Sequence, residues 1–570
     1  MPISGWSNGA MFAPEHLIHP LFVRIEETMP PLPAPLADEA RSKLATLSEA
    51  ARQTGFDFQI PADLTDEIQS VLAFSDFIAR TCQRYPEVLV DLLQSGDLTT
   101  TYPPGNYRSM LQSRLPGTPE DPFDVVQQHL GDELRAVRRR EMIRIAWRDL
   151  AGRADLDETM EDLSALADAC IDGALTVLYD GLCRQRGIPT GPDGTPQQLV
   201  VVGMGKLGAR ELNFSSDVDL IFAFPESGRT TGQASSIPND EFFTHLCRQL
   251  VRVLGQVTAA GFVFRIDTNL RPFGDSGPLA MSFAALEGYY QNQGREWERY
   301  AWIKARVVAG DDRAGNDLLT MLQPFIYRRY LDYGVFDSLR EMKQKIAMEV
   351  KRRGIEKNIK LGAGGIREVE FFGQIFQLLR GGVEPELQER RILRVIDLLV
   401  NFGSLEPDTG AALRVAYCFL RQVEHRLQAY QDQQTHDLPE DSLGRMRLAR
   451  AMGYPDTTSF MTALEDHRRL VHNQFATLLE PVTDAAAETA ATLPIEPLTT
   501  VWHASVDPDQ AHAILADAGF ADPQDTLRRL TFLRRQTDKH KFSSEGQRRL
   551  DRLMPLFLME TSRADQPDLT

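Results

Sequence analysis

The stretch Leu199 to Phe224, LVVVGMGKLGARELNFSSDVDLIFAF, constrains this chain more than any other. Two short, largely β-branched apolar runs, Leu199 to Val202 and Leu220 to Phe224, are bounded by turn residues, the mark of buried strands. Between them lie Gly203-Met204-Gly205-Lys206 and a short polar segment, so the order is strand, glycine turn, helix, strand. Side chains i and i+2 project from one face of a strand. Asp217 and Asp219 therefore point the same way, with Val218 turned to the core. Two neighbouring carboxylates on a rigid strand repel each other, and a hard cation such as Mg²⁺, shared with substrate phosphates, resolves the repulsion. The glycines supply the other half. A turn without Cβ atoms lets backbone N–H groups approach a phosphate, and a helix N-terminus favours negative charge there. Lys206 adds a positive point charge beside the turn. Gly203, Gly205, Lys206 and Ser216 are thus the expected phosphate contacts. The alternative is a packing turn followed by two solvated aspartates; the turn and the acidic pair together favour the metal-nucleotide reading.

A two-metal clamp needs a third carboxylate. Asp267 is the candidate: in Gly261 to Asp267, Phe262, Phe264 and Ile266 alternate with Val263, Arg265 and Asp267, which predicts another strand. The following Leu270 to Pro278 forms a loop with two glycines and two prolines. Arg271 there meets either a phosphate or an ion-pair partner that holds the loop.

A glycine turn about a dozen residues before Asp-x-Asp is similar to the pattern of the nucleotidyltransferase superfamily, although Lys206 stands where Gly or Ser is usual. The stretch GMGKLGARELNFSSDVDLIF resembles, more specifically, the bifunctional glutamine synthetase adenylyltransferase/adenylyl-removing enzymes of bacteria. That family carries two nucleotidyltransferase domains in one long chain. Its removing half reads ELNFSSD and later RPFGxSGPL, and its attaching half reads closer to ELGYGSD and RPSG. Glu211 to Asp217 and Arg271 to Pro278 match the removing half. Asn269 departs from the Arg more often found in the family. The resemblance covers most of positions 60 to 450. It implies an α+β fold, a DNA polymerase beta-like nucleotidyltransferase core with a small mixed sheet, embedded in mostly helical amino-terminal and carboxy-terminal domains.

It also implies the reaction: Asp217, Asp219 and Asp267 hold two Mg²⁺ ions, phosphate attacks the AMP phosphorus of adenylylated glutamine synthetase, and the unmodified enzyme is released with ADP. ATP-dependent attachment of AMP by the same domain is the first alternative. A non-catalytic module that binds the nitrogen-signalling PII protein is the second, and the intact acidic trio speaks against it. PII is an expected partner on either reading. No second glycine turn with Asp-x-Asp follows, so the attaching half is absent from these residues. The chain is then either a natural short form or the front part of a longer protein.

A chain of 570 residues exceeds one ordinary core. The expected division is a helical region over 1–150, the catalytic domain over 151–320, a helical regulatory domain over 321–480, and a linker with a terminal helical segment over 481–570. A net charge of −18 argues against nucleic acid as a partner. Five scattered cysteines form no CxxC pair and suit a reducing cytoplasm. No apolar run reaches the roughly 20 residues that span a bilayer, so no membrane attachment or signal peptide is expected. Leu134 to Leu150 carries six arginines interleaved with acids, which predicts a helix paired with neighbouring acids rather than an anion-binding surface. Helices are also expected over Asp63 to Leu93, Asp157 to Leu182, Asp240 to Val257, Ser282 to Tyr290, Arg295 to Val308, Asp337 to Arg353 and Trp502 to Arg563. Arg299, Lys304 and Arg306 read as salt-bridged helix surface. The glycine cluster Ile359 to Glu368 reads as a hinge and helix cap, with Glu368 and Glu370 within possible reach of the site across it. His425 and His436 read as surface histidines.

Overall fold

The computed structural model describes residues 31–56, 60–115, 122–233, 235–328, 358–479, 495–539 and 544–562. Among them seven strands form: β1 (Ile188–Thr190), β2 (Val200–Gly203), β3 (Val218–Phe224), β4 (Arg229–Thr231), β5 (Ile266–Asp267), β6 (Ala280–Ser282) and β7 (Arg306–Gly310). The two apolar runs that open the sequence argument become β2 and β3, and they pair antiparallel. β2 pairs antiparallel with β7 on its other side. β5 and β6 both lie on the far edge of β3 and run parallel to it. β5 meets the start of β3, with Asp219 opposite Asp267, and β6 meets its end, with Phe222 opposite Ala280. β1 and β4 make a separate antiparallel pair.

Alternation along β2 and β3 sends side chains to two different cores. Val201, Leu220, Phe222 and Phe224 join a large core with Trp147, Leu178, Phe243 and Leu254. Val200, Val202, Ile221 and Ala223 join Trp302, Ile303 and Leu318 on the opposite face. A sheet covered on both faces explains the near-continuous apolar runs in its sequence.

The large core is built by the amino-terminal helices Ala34–Gln53, Thr65–Phe74, Asp76–Arg84 and Pro86–Ser95, then Asn106–Arg114 and the long pair Phe123–Leu150 and Leu156–Arg186. Their ends follow local chemistry. The Ser75 hydroxyl accepts from the Ile78 N–H at 3.1 Å, and Asp155 accepts from the Glu158 N–H at 2.7 Å. Gly96, at φ +74°, closes the Pro86–Ser95 helix in the left-handed conformation. Helices Ile366–Arg380, Ile392–Asn401, Pro407–Gln431, Ser442–Ala451 and Thr457–Leu479 enclose a further core around Val395, Tyr417, Leu420 and Phe460.

The chain divides into two compact units, Met1–Leu479 and Glu480–Thr570. The second holds helices Ile495–Trp502, Pro508–Asp517, Pro523–Lys539 and Ser544–Ser562 around Leu498, Trp502, Leu515 and Leu558. Among the described residues no helix is long and apolar enough to cross a membrane.

Several expectations change. The strand predicted over Gly261 to Asp267 shrinks to its last two residues, because the N–H groups of Val263 and Phe264 both donate to the Leu254 carbonyl at 3.0 Å. The helix predicted over Arg295 to Val308 ends at Trp302. Arg306 to Gly310 is instead β7, where the β-branched pair Val307-Val308 suits an extended chain. The six-arginine helix is paired, though not mainly with its own acids: Arg138 reaches Asp432 at 2.9 Å, Arg144 reaches Asp162 at 2.9 Å and Arg148 reaches Glu158 at 2.6 Å. In the segment expected over 481–570 helix begins at Ile495, ahead of the expected Trp502. The helix expected over 337–353 and positions 481–494 of the expected linker lie outside the described residues.

Two glycines with opposite surroundings test this packing. A Cβ on Gly208 would sit 1.9 Å from the Lys304 carbonyl oxygen, whereas one on Gly288, inside the Phe283–Asn292 helix, would meet nothing within 4 Å. Gly208→Ala should lose about 1–3 kcal/mol in urea unfolding, and Gly288→Ala should gain about 0.5–1 kcal/mol.

Candidate active site

β3 and β5 bring two of the three aspartates face to face. Asp219 and Asp267 are register partners on adjacent parallel strands. Asp217 stands one residue before β3, and each of its oxygens accepts a hydrogen bond. Arg265 Nε donates to Oδ1 at 3.1 Å and Gln434 Nε2 donates to Oδ2 at 2.9 Å. Asp267 Oδ1 accepts from the Asn269 N–H at 2.7 Å. Burial, together with the facing Asp267 and Asp217 carboxylates, pushes the Asp219 carboxyl up to about 7; Lys360 opposes this in part. The same charge crowding that the sequence implied is therefore a property of the folded chain.

The glycine turn sits against this cluster. Gly205 has φ +54°, and a Cβ there would lie 3.0 Å from Asp219 Oδ2. The Met204 N–H donates to the Asp219 carbonyl at 2.9 Å, which fixes the turn to the acidic strand. Ser216 closes its own bend, its hydroxyl accepting from the Asn213 N–H at 3.3 Å. The other expected phosphate contacts have different partners here. Gly203 makes room for Val308, whose Cγ1 would lie 2.6 Å from an added Cβ. Arg271 Nη1 donates to the Thr268 carbonyl and hydroxyl oxygens, each at 2.8 Å, and so holds its own loop. The Lys206 ammonium donates to both oxygens of Glu424 on the Pro407–Gln431 helix, at 2.8 and 2.9 Å. Burial brings the Lys206 ammonium down to about 7 even beside that carboxylate.

Lys206 belongs to a buried set of charges between the sheet and the helices after it. Lys304 bridges Glu211 at 2.9 Å and Glu370 at 2.8 Å. Arg421 meets Glu424 at 3.1 Å and donates to the Glu211 carbonyl at 2.6 Å. Burial alone would raise the Glu370 carboxyl, but Lys304 and Lys206 outweigh it and hold Glu370 at about 2. Glu370 thus does approach the glycine turn across the expected hinge, whereas Glu368 stays with the hinge, accepting from the Gly364 N–H. Arg306 grips Asp168 with both terminal nitrogens, at 2.8 and 2.9 Å, and Arg299 binds Glu296 and the Phe325 carbonyl. They are salt-bridged as expected, but in buried or half-buried pairs rather than on exposed helix surface.

The histidines also differ from expectation. His425 is fully buried with its ring edge-on to Phe214, and His436 Nε2 lies 3.0 Å from Glu424. Gln434, Glu424, His436 and Lys360 were not legible as site neighbours. They lie far along the chain from the Asp-x-Asp pair; Lys360 falls in the glycine cluster read as a hinge and His436 was read as a surface histidine, and nothing in their local sequence ties any of the four to the site.

The trio Asp217, Asp219 and Asp267 offers oxygen donors alone, the set that suits a hard divalent cation. Among the described residues no three His, Cys, Asp or Glu side chains converge into a ready cage. Asp217 keeps free lone pairs after accepting two hydrogen bonds, so it too can take part.

Residues 65–321 match the family model for glutamate-ammonia ligase adenylyltransferase, and residues 340–479 match that for GlnD PII-uridylyltransferase. The chain is 49% identical, over 94% of its length and 55% of the relative's, to a bifunctional glutamine synthetase adenylyltransferase/adenylyl-removing enzyme of Nitrosococcus oceani. It is 45% identical to the enzyme of that name in Pseudomonas aeruginosa, over 96% of this chain and 55% of the relative, and 46% identical to that of Thioalkalivibrio sulfidiphilus, over 87% and 51%. The chain spans about half the length of the curated relatives it matches. Nearly all of this chain therefore aligns with about half of each bifunctional glutamine synthetase adenylyltransferase/adenylyl-removing enzyme that it resembles.

Proposed function

We propose that this chain removes AMP from an adenylylated tyrosine of glutamine synthetase by phosphorolysis, giving ADP and the unmodified enzyme. The observation that carries nucleotidyl transfer is the opposition of Asp219 and Asp267 beside the Gly205 bend, within the stretch matched by the adenylyltransferase family model. The direction rests on two sequence stretches, Glu211 to Asp217 and Arg271 to Pro278, which resemble the removing half of the family. Attachment of AMP from ATP is the second reading, since the relatives' names carry both activities. In this proposal the core over 151–320 is a DNA polymerase beta-like nucleotidyltransferase domain. The match of 340–479 to a PII-uridylyltransferase model supports PII as a partner of the helical domain over 321–480.

Asp217, Asp219 and Asp267 would hold Mg²⁺, with two ions the expected number. Bound there, the metal supplies charge neutralisation at the phosphorus and at the attacking and leaving oxygens. The chain's own contribution is placement. Gly205 leaves open the space beside Asp219 into which a Cβ would project, and the Ser216 bend flanks the same strand end. Arg265 fixes Asp217 from one side while also donating to the Ser215 carbonyl at 2.6 Å. Lys206 acts from behind through Glu424, and Arg271 and Gly203 shape the loop and sheet that frame the phosphate.

Asp217→Asn should cut ADP release from adenylylated glutamine synthetase by about a hundredfold or more, the scale of losing one preorganised electrostatic group. Its melting temperature should stay at the parent value, and a folded Asp217→Asn enzyme with parental turnover would sink the proposal. Supplying unmodified enzyme with ATP separates the second reading, which requires label to be incorporated.

The Asp219 carboxyl near 7 gives a pH signature. It is neutral below that value and anionic above, and a cation needs the anion. Mg²⁺ affinity should therefore fall as pH drops from 8 to 6, approaching roughly tenfold per unit below 7, with about one proton released on binding. Calorimetry in two buffers of different ionisation enthalpy measures that proton; a pH-independent affinity counts against the assignment.

A further inference from the structure

The helical region does more than cover the sheet: a short loop from it reaches the acidic cluster. The Pro407–Gln431 helix ends at Asp432, which is left-handed at φ +50°, and the chain then turns back over residues 432–437. Both flanks of this loop are pinned. Asp432 meets Arg138 at 2.9 Å and the Ser215 hydroxyl at 3.3 Å. On the other side the Ile359 N–H donates to the His436 carbonyl at 2.9 Å, and Asn358 donates to Asp437 at 2.9 Å. His436 itself contacts Glu424, the carboxylate that holds Lys206. Between the pinned flanks Gln434 is exposed, and its amide donates to Asp217 Oδ2 at 2.9 Å.

We propose that Gln434 is a positioning residue of the active site, fixing the Asp217 carboxylate for cation binding. The proposal rests on the reading of Asp217 as a metal ligand. Asp217 is more than a third exposed and lies in the irregular segment before β3 rather than in the strand, so its own packing does not determine its rotamer. Two donors on opposite oxygens do. Arg265 is one of them, and its positive charge opposes a nearby divalent ion. The Gln434 amide orients the other oxygen without adding charge, which leaves that oxygen's second lone pair free for the metal. Outer partners of this kind tune both the orientation and the affinity of metal ligands. The site on this view is composite: two carboxylate-bearing segments come from the sheet, and the group that aims one of them comes from a segment more than two hundred residues later, within the stretch matched by the PII-uridylyltransferase model.

The test is Mn²⁺ binding to the full chain, followed by the paramagnetic signal of the free ion, so the readout does not depend on turnover. Gln434→Ala should weaken Mn²⁺ binding by roughly ten- to a hundredfold, leave the melting temperature unchanged, and regain most of its turnover at saturating metal. Gln433→Ala, a change at the exposed neighbour, should bind within twofold of the parent. Parental affinity in Gln434→Ala, or an equal loss in both variants, overturns the proposal. If instead Asp217→Asn binds Mn²⁺ as tightly as the parent, the metal reading of Asp217 fails, and the role of Gln434 falls with it.

Discussion

The buried charges between the sheet and the later helices set the geometry of everything near the site. Lys304 stands between Glu211 and Glu370, while Lys206 and Arg421 share Glu424. Three cations and three carboxylates are removed from water together. Each such ion costs several kcal/mol to desolvate, and only close pairing recovers it. Removing one partner from a buried pair leaves an uncompensated charge, typically costing about 3–5 kcal/mol. An apolar interface of the same area would tolerate sliding; this one is stable in a single register. The helices over 366–431 are thereby fixed against the glycine turn.

That rigidity lets the acidic cluster remain unfavourable by itself. Asp219 is half-buried and faces other carboxylates, so its charged form is disfavoured. A flexible scaffold would relax such repulsion by moving the strands apart. Here Asp219 and Asp267 are held by the β3–β5 ladder, and the Met204 N–H binds the Asp219 carbonyl from the other side. Stability is sacrificed where chemistry is expected and recovered in the two cores on either face of the sheet.

Much of this was legible in the sequence wherever the determinants were local. The β2 and β3 runs, the glycine bend and the Asp-x-Asp pair lie within one short stretch, and period-two alternation assigns their faces. The long helices followed from periodicity; the cap at Asp155, two residues before the expected start of its helix, came only with the structure. The misreadings share one cause. β7 was taken for helix because its strand character depends on pairing with β2, about a hundred residues earlier. Residues 261–265 alternate like a strand, but a helix-end carbonyl captures two of their N–H groups. His425 looked exposed among Gln and Arg, yet its helix is buried on that face. Gln434 carries no local signal at all, because its meaning comes entirely from the loop's return to Asp217.

The Lys206–Glu424 pair spans 218 positions in the chain. At a synthesis rate of roughly 5–20 residues per second, Glu424 emerges about 10–40 s after Lys206. Throughout that interval the nascent domain carries an ammonium group destined for burial without its counter-ion. The β2–β3 hairpin can form early, but the glycine turn cannot settle into its final position until the later helix has left the ribosome. Completion of this site is therefore timed by translation of a segment outside the sheet.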